Sequence, residues 1–237
     1  MHKCKFIYCL GLILTITMTD VAAEPPFFNA TYKLFSRGLE IAQMERSLQK
    51  QGEDGYTYTS ITDTVGLVAM FHKDHIVEES RWKIVDNQIY PQYYTYIRNG
   101  GKKTRRINID FDWSGRIINN VVNERRRQMP LRVGILDKLL YQYALMRDLG
   151  NNPAEITYEV TDGGKMKIYH FVKMEDELLK TPLGPVQTVK LQKVGQDDKS
   201  RLIFWSAPSL EYLPVKVEST DEDGHTTIAL IQTLQWL

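Results

Sequence analysis

His72 and His75, with Glu78 and Glu79 close by, have the residue types of a metal site. Imidazole and carboxylate both bind zinc. A His-x-x-His pair shares a face on a helix, but this one falls at a loop-to-strand junction, where positions three apart point to opposite sides. The group reads as solvated turn residues, and no metal is expected. His170 and His225 stand alone and read as ordinary strand residues. Paired carboxylates, which can serve glycoside hydrolysis, occur at Glu78 and Glu79, Asp110 and Asp112, and Asp197 and Asp198. Asp110 and Asp112 would share one strand face about 7 Å apart, a spacing equally common on a solvated surface. Ser-His-Asp catalysis needs a nucleophile on a sharp turn, and no Gly-x-Ser-x-Gly occurs. Gly100-Gly101 and Gly163-Gly164 lack the Lys-Ser/Thr and helix start of a phosphate loop. No catalytic residue and no cofactor is assigned.

Binding chemistry is better represented. Lys102, Lys103, Arg105 and Arg106 flank one turn, and Arg125, Arg126, Arg127 and Arg132 precede a helical segment. Solvating a hairpin and protecting a sheet edge is their simplest role. The alternative is contact with anionic lipid phosphates or acidic glycan, which Arg meets bidentately. Gly66 to Phe71 is apolar between polar strands: a loop plugging one end of a barrel, or a lip over a cavity with an adaptable Met70. Tyr90, Tyr93, Tyr94 and Tyr96 present both an apolar face and a hydroxyl. The candidate ligand contacts are Met70, Phe71, Trp82, Tyr94 and Tyr96 on the apolar side and Arg105, Arg106, Arg126 and Arg127 for an anionic head group.

The elements that must position these residues are mostly strands. The chain has 237 residues, 43% apolar, 25% charged and 11% aromatic, which are globular proportions. Turn dipeptides recur at Asp54-Gly55, Asn99-Gly100, Ser114-Gly115, Asp162-Gly163 and Asp223-Gly224. Period-two runs lie between them, predicting strands at 29–36, 39–49, 56–62, 74–85, 89–97, 103–113, 116–123, 155–161, 165–174, 186–194, 200–206, 212–219 and 225–236. Short connections predict antiparallel neighbours. One helix is predicted from Gly134 to Leu149, where Ile135, Leu136, Leu139, Leu140, Tyr143, Met146 and Leu149 recur at three and four residues. The fold class is therefore mainly β: a strongly curved antiparallel sheet or incomplete β-barrel, with one amphipathic helix packed on its concave face.

Residues 1–23 read as a secretory signal. His2, Lys3 and Lys5 precede an apolar run from Phe6 to Met18, and Val21-Ala22-Ala23 offers small residues for cleavage before Glu24. Residues 24–237 then form a single exported domain. Without Lys3, Lys5 and Asp20, the 30 basic and 29 acidic residues become 28 and 28. Cys4 and Cys9 leave too, so the mature chain has no thiol chemistry. Zero net charge argues against a nucleic-acid partner. No second apolar stretch approaches the ~20 residues of a transmembrane span.

Glu79-Ser80-Arg81-Trp82, Tyr90-Pro91-Gln92-Tyr93, Phe111-Asp112-Trp113, Thr181-Pro182-Leu183-Gly184 and Tyr212-Leu213-Pro214-Val215-Lys216-Val217 occur in an order that resembles an uncharacterised exported bacterial family, domain of unknown function 3108. The resemblance spans nearly the whole mature chain. It implies a Gram-negative periplasm and a distant similarity to lipoprotein-carrier half-barrels, with no reaction to carry over. The expectation is a non-enzymatic envelope protein that binds an amphipathic envelope ligand, such as a lipid, lipoprotein or glycan, in or at the mouth of its curved sheet. An assembly factor acting only through an envelope protein partner is one alternative. A cell-wall hydrolase using strand carboxylates is the other.

Overall fold

The computed structural model describes residues 24–71, 73–100, 104–195 and 200–237. The leader, His72, Lys102, Lys103, Asp197 and Asp198 lie outside the described residues.

The predicted period-two runs are strands in the structure. An antiparallel meander runs through β1 (Phe28–Ser36), β2 (Leu39–Gln51), β3 (Gly55–Thr64), β4 (His75–Val85), β5 (Gln88–Asn99), β6 (Arg105–Asp112), β7 (Ile117–Val122) and β8 (Arg125–Pro130). A second series comprises β9 (Ile135–Asp137), β10 (Glu155–Asp162), β11 (Lys165–Lys173), β12 (Glu177–Thr181), β13 (Gly184–Val194), β14 (Arg201–Ala207), β15 (Leu213–Thr220) and β16 (Thr226–Trp236). The two join where β1 pairs with β16, giving one curved sheet from β8 at one edge to β9 at the other, with β12 paired to β13 off the main path. Asp86 and Asn87 both take positive φ between β4 and β5, as the twist of a tight hairpin requires.

Three strands were not visible in the periodicity. β8 carries Arg125, Arg126 and Arg127, all exposed, and is the free edge beyond β7. β12 is short and half-exposed. β9 takes the first turn of the predicted helix, because Ile135, Leu136 and Asp137 pair parallel with Glu159, Val160 and Thr161 of β10. Beyond β9, the helix α2 spans Leu140–Leu149. It begins where Asp137 Oδ1 accepts from the backbone N–H of Leu139 at 2.9 Å and of Leu140 at 2.8 Å, two of the four donors every helix start leaves open.

The concave face wraps α2 more fully than a single stripe would demand. Leu140, Tyr141, Tyr143, Ala144, Leu145, Met146 and Leu149 are all buried. They meet Trp82, Phe171 and Phe204 among inward side chains from both series, in one continuous core. The polar residues of α2 are bonded to the sheet. Gln142 accepts from Arg46 Nη1 at 2.8 Å, and Asp148 accepts from the Tyr158 hydroxyl at 2.7 Å. The Arg46 guanidinium also lies 5.5 Å from the Tyr32 ring centroid and 6.0 Å from that of Tyr58, contacts that favour a cation.

β8 and β9 do not pair with each other. Across that gap the β10–β11 hairpin leans onto the inner face of β6 and β7. A Cβ on Gly163 would stand 3.0 Å from Arg105 Nη2, and one on Gly164 would stand 3.7 Å from Asn120 Oδ1. Arg132 reinforces the seam with two bonds to Glu159, at 2.6 and 2.5 Å. The sheet is thus barrel-like but open. No helix among the described residues is long and apolar enough to cross a membrane.

Candidate functional site

Several strands change character along one face as they approach the same end of the molecule. On β11, Phe171 and Tyr169 are core, and Lys167 and Lys165 continue that face outward. On β6, Phe111, Ile109 and Ile107 are core, and Arg105 follows. On β5, buried Tyr94 gives way to partly exposed Tyr96. Alternation keeps each series on one side of the sheet. Lys138, between Asp137 and α2, arrives at the same end.

These residues border a cleft of about 340 Å³, lined by Tyr94, Tyr96, Arg105, Ile107, Lys138, Asp162, Gly163, Lys165 and Lys167. Four cations face one carboxylate there. Burial works to raise the Asp162 carboxyl, but Lys138 and Lys167 outweigh it and hold the group below the usual carboxylate range. Lys167 Nζ bonds Asp162 Oδ2 at 2.8 Å. Among the described residues Arg105, Lys138 and Lys165 have no carboxylate within ion-pair distance, so their donors remain open to an anion. The floor is built from rings: Tyr94 donates to Glu78 Oε2 at 2.9 Å, and burial together with the Glu78 charge pushes its phenol well above the ordinary range. One layer deeper, Asp137 is fully enclosed and accepts from Ser80 Oγ at 2.6 Å. Burial raises its carboxyl to about 7, against the lowering effect of three hydrogen bonds.

Of the nine residues marked in the sequence, the cleft brings together Tyr94, Tyr96 and Arg105. Trp82 is enclosed, stacked on Tyr56 with ring centroids 5.6 Å apart and against Tyr143 at 4.8 Å. It belongs to the core and has no ligand-facing surface. Arg106 follows Arg105 and so points to the outer face. Arg126 and Arg127 border a separate groove along β7 and β8. Met70 and Phe71 lie on a short helix, α1 (Gly66–Phe71), which neither plugs the barrel nor lines the cleft; they are 76% and 80% exposed. Lys138, Asp162, Lys165 and Lys167 were not singled out in the sequence. The signal was present in Lys165-x-Lys167-x-Tyr169-x-Phe171, where one strand face passes from basic to aromatic.

The other chemistry-bearing groups are held in turns or on the outside. His75 Nδ1 lies 2.7 Å from Asp63 Oδ1 on the surface. Asp110 and Asp112 share the outer face of β6, where Asp110 accepts weakly from Asn119 and Asp112 accepts the Gly115 N–H at 2.8 Å. His225 is a turn residue ahead of β16, not a strand residue. With Asp221 and Asp223 it forms an exposed trio whose potential ligand atoms lie within 4.8 Å. The turn itself accounts for this clustering, since Asp221 Oδ1 accepts from the N–H of Asp223 and His225 at 3.0 and 2.8 Å.

Residues 28–231 match the family described as Protein of unknown function (DUF3108). The structure is similar to the crystal structure of a beta-barrel-like protein of domain of unknown function DUF1849 from Brucella abortus, with a TM-score of 0.59 and 8% identity, over 91% of this chain and 100% of that one. At that identity the likeness concerns the fold alone. No curated protein matches the sequence.

Proposed function

The chain belongs to the DUF3108 family of proteins of unknown function, and from that premise we propose that it works by binding rather than by reaction, holding an anionic amphiphile at the mouth of its curved sheet. The observation that carries this reading is the cleft in which Arg105, Lys138, Lys165 and Lys167 converge over the rings of Tyr94 and Tyr96. Cations accept a phosphate or carboxylate head group. The partly exposed Tyr96 ring accepts the first methylenes of a chain, with enclosed Tyr94 and Ile107 behind it. The head group binds at the rim, because α2 fills the space beneath the sheet. Export is part of what we propose: residues 1–23 have the basic start, short apolar run and small residues of a secretory leader, and a mature chain beginning at Glu24 would work in the periplasm, where such amphiphiles face the aqueous phase.

Titration calorimetry with lysophosphatidylglycerol below its micelle concentration tests this. The protein is expected to bind it with one site, and Lys138→Gln/Lys165→Gln is expected to weaken binding at least about tenfold. Unchanged affinity in the double variant would remove the cleft from consideration.

A further inference from the structure

We propose that α1 is a membrane-entering lip, which seats this end of the protein on an anionic lipid surface. The inference rests on the reading of the cleft as an amphiphile site, whose ligand would be drawn from that surface. Leu67, Met70 and Phe71 are 71%, 76% and 80% exposed, and Leu39 at the adjoining start of β2 is 64% exposed. Positions 67, 70 and 71 are three and four residues apart, so they share one face of α1. Single exposed apolar residues are ordinary; four large ones gathered at one tip mark a contact surface.

The root of α1 is fastened by polar bonds while its tip buries nothing. Val65 N–H donates to Ile41 O at 3.0 Å, and Thr64 N–H donates to Asp74 O at 3.1 Å. Arg98 pairs with Asp74 at 2.5 Å. The turn at Gly100 presses so closely on the Lys73 carbonyl that a Cβ would come within 1.7 Å of it. The lip is thus held out from the body on a braced platform.

Charge selects the occupant. Arg37 sits in the turn before Leu39 and Lys73 follows α1; both are exposed and neither forms an ion pair among the described residues. Of the nearby carboxylates, Asp74 pairs with Arg98 and Glu40 with Lys33, and Asp63 lies against the His75 ring. Next along the rim come Arg105 and Lys165 of the cleft. Apolar side chains between cations fit an interface of acyl chains and anionic phosphates. A second copy docked here by two-fold symmetry would set Arg37 and Lys73 against their own images. The acidic turn at Asp221–Asp223 adjoins the β1–β2 turn at this end, beside the Ser36–Thr227 pair and on the side away from α1, so an anionic surface draws the α1 and cleft side toward it.

The test uses the soluble form recovered after export, its N-terminus verified by mass, in flotation with phosphatidylethanolamine–phosphatidylglycerol vesicles against phosphatidylcholine vesicles. The parent is expected to float with the anionic vesicles and lose this at high salt. Met70→Ser/Phe71→Ser is expected to float at least about tenfold less while keeping lysophosphatidylglycerol affinity. A double variant that floats as the parent does, or a parent that ignores anionic vesicles, overturns the lip. So does a concentration-dependent dimer, seen by sedimentation, that the double variant abolishes. A parent that binds vesicles through the lip yet ignores the lysolipid leaves the lip standing and removes the cleft reading instead.

Discussion

Asp137 combines three tasks that pull on one carboxyl. It takes the first free N–H groups of α2, accepts from Ser80, and lies at the end of β9 in full burial. Its folded-state value, about 7, stands above the ordinary 3.8, so the folded chain holds this proton more tightly than the unfolded chain. The stability gained is complete below about pH 4 and is lost as pH rises through about 7, with a slope of at most about 1.4 kcal/mol per unit. Asp137→Asn keeps an acceptor for the helix donors and removes the titration. Urea unfolding at several pH values is expected to show a shallower dependence in the variant; an identical slope would assign the pH response to other groups. At this scale the sequence was only partly legible. Tyr94, Tyr96 and Arg105 stood out because aromatic and basic residues are conspicuous in a strand. Lys138 and Asp162 did not, because their importance comes from the distant segments that meet there.

Strands were easier to read than their partners. A side-chain period of two survives in any strand with one buried face, which is why most of the meander is plain in the sequence. It fails for β8, whose edge position leaves Arg125, Arg126, Arg127 and Gln128 all exposed, and for β9, whose three residues are all buried. The helix pattern was sound in kind but too long, since Ile135 and Leu136 satisfy a three-to-four spacing and a strand pairing equally well. Parallel pairing with β10 decides between them, and no local signal encodes it. Because α2 is enclosed on nearly every side, its side chains act as the filling of the curved sheet. Leu145, 1% exposed, has little freedom to be replaced by collapse around it, so Leu145→Ala is expected to cost about 2–5 kcal/mol. A denaturant midpoint that implies less than about 1 kcal/mol would show that the sheet can close on a smaller core.

The molecule as a whole is a ribbon whose two edges approach without pairing. Side chains and one hairpin tip close that gap, so its integrity depends on the few residues that meet there. Gly164 has φ +83°, and a Cβ there would come within 3.7 Å of Asn120 Oδ1 and 3.9 Å of Val122 Cγ2. Gly164→Val combines backbone strain with a wedge under the tip, and is expected to cost about 1–3 kcal/mol. Hydrogen exchange is expected to rise in β9, β10 and β11 ahead of β1 and β2. Uniform acceleration across the sheet would mean that the seam is not a separate unit.

At the opposite place in the ribbon, its two series are stitched by β1 and β16: the hydroxyls of Thr31 and Thr233, 202 residues apart, touch at 2.7 Å. β1 therefore keeps one flank bare until β16 is in place to cover it. Folding intermediates that lack β16 present that raw flank to each other. Pairing of β1 with β16 is thus the step that joins the two halves of the ribbon.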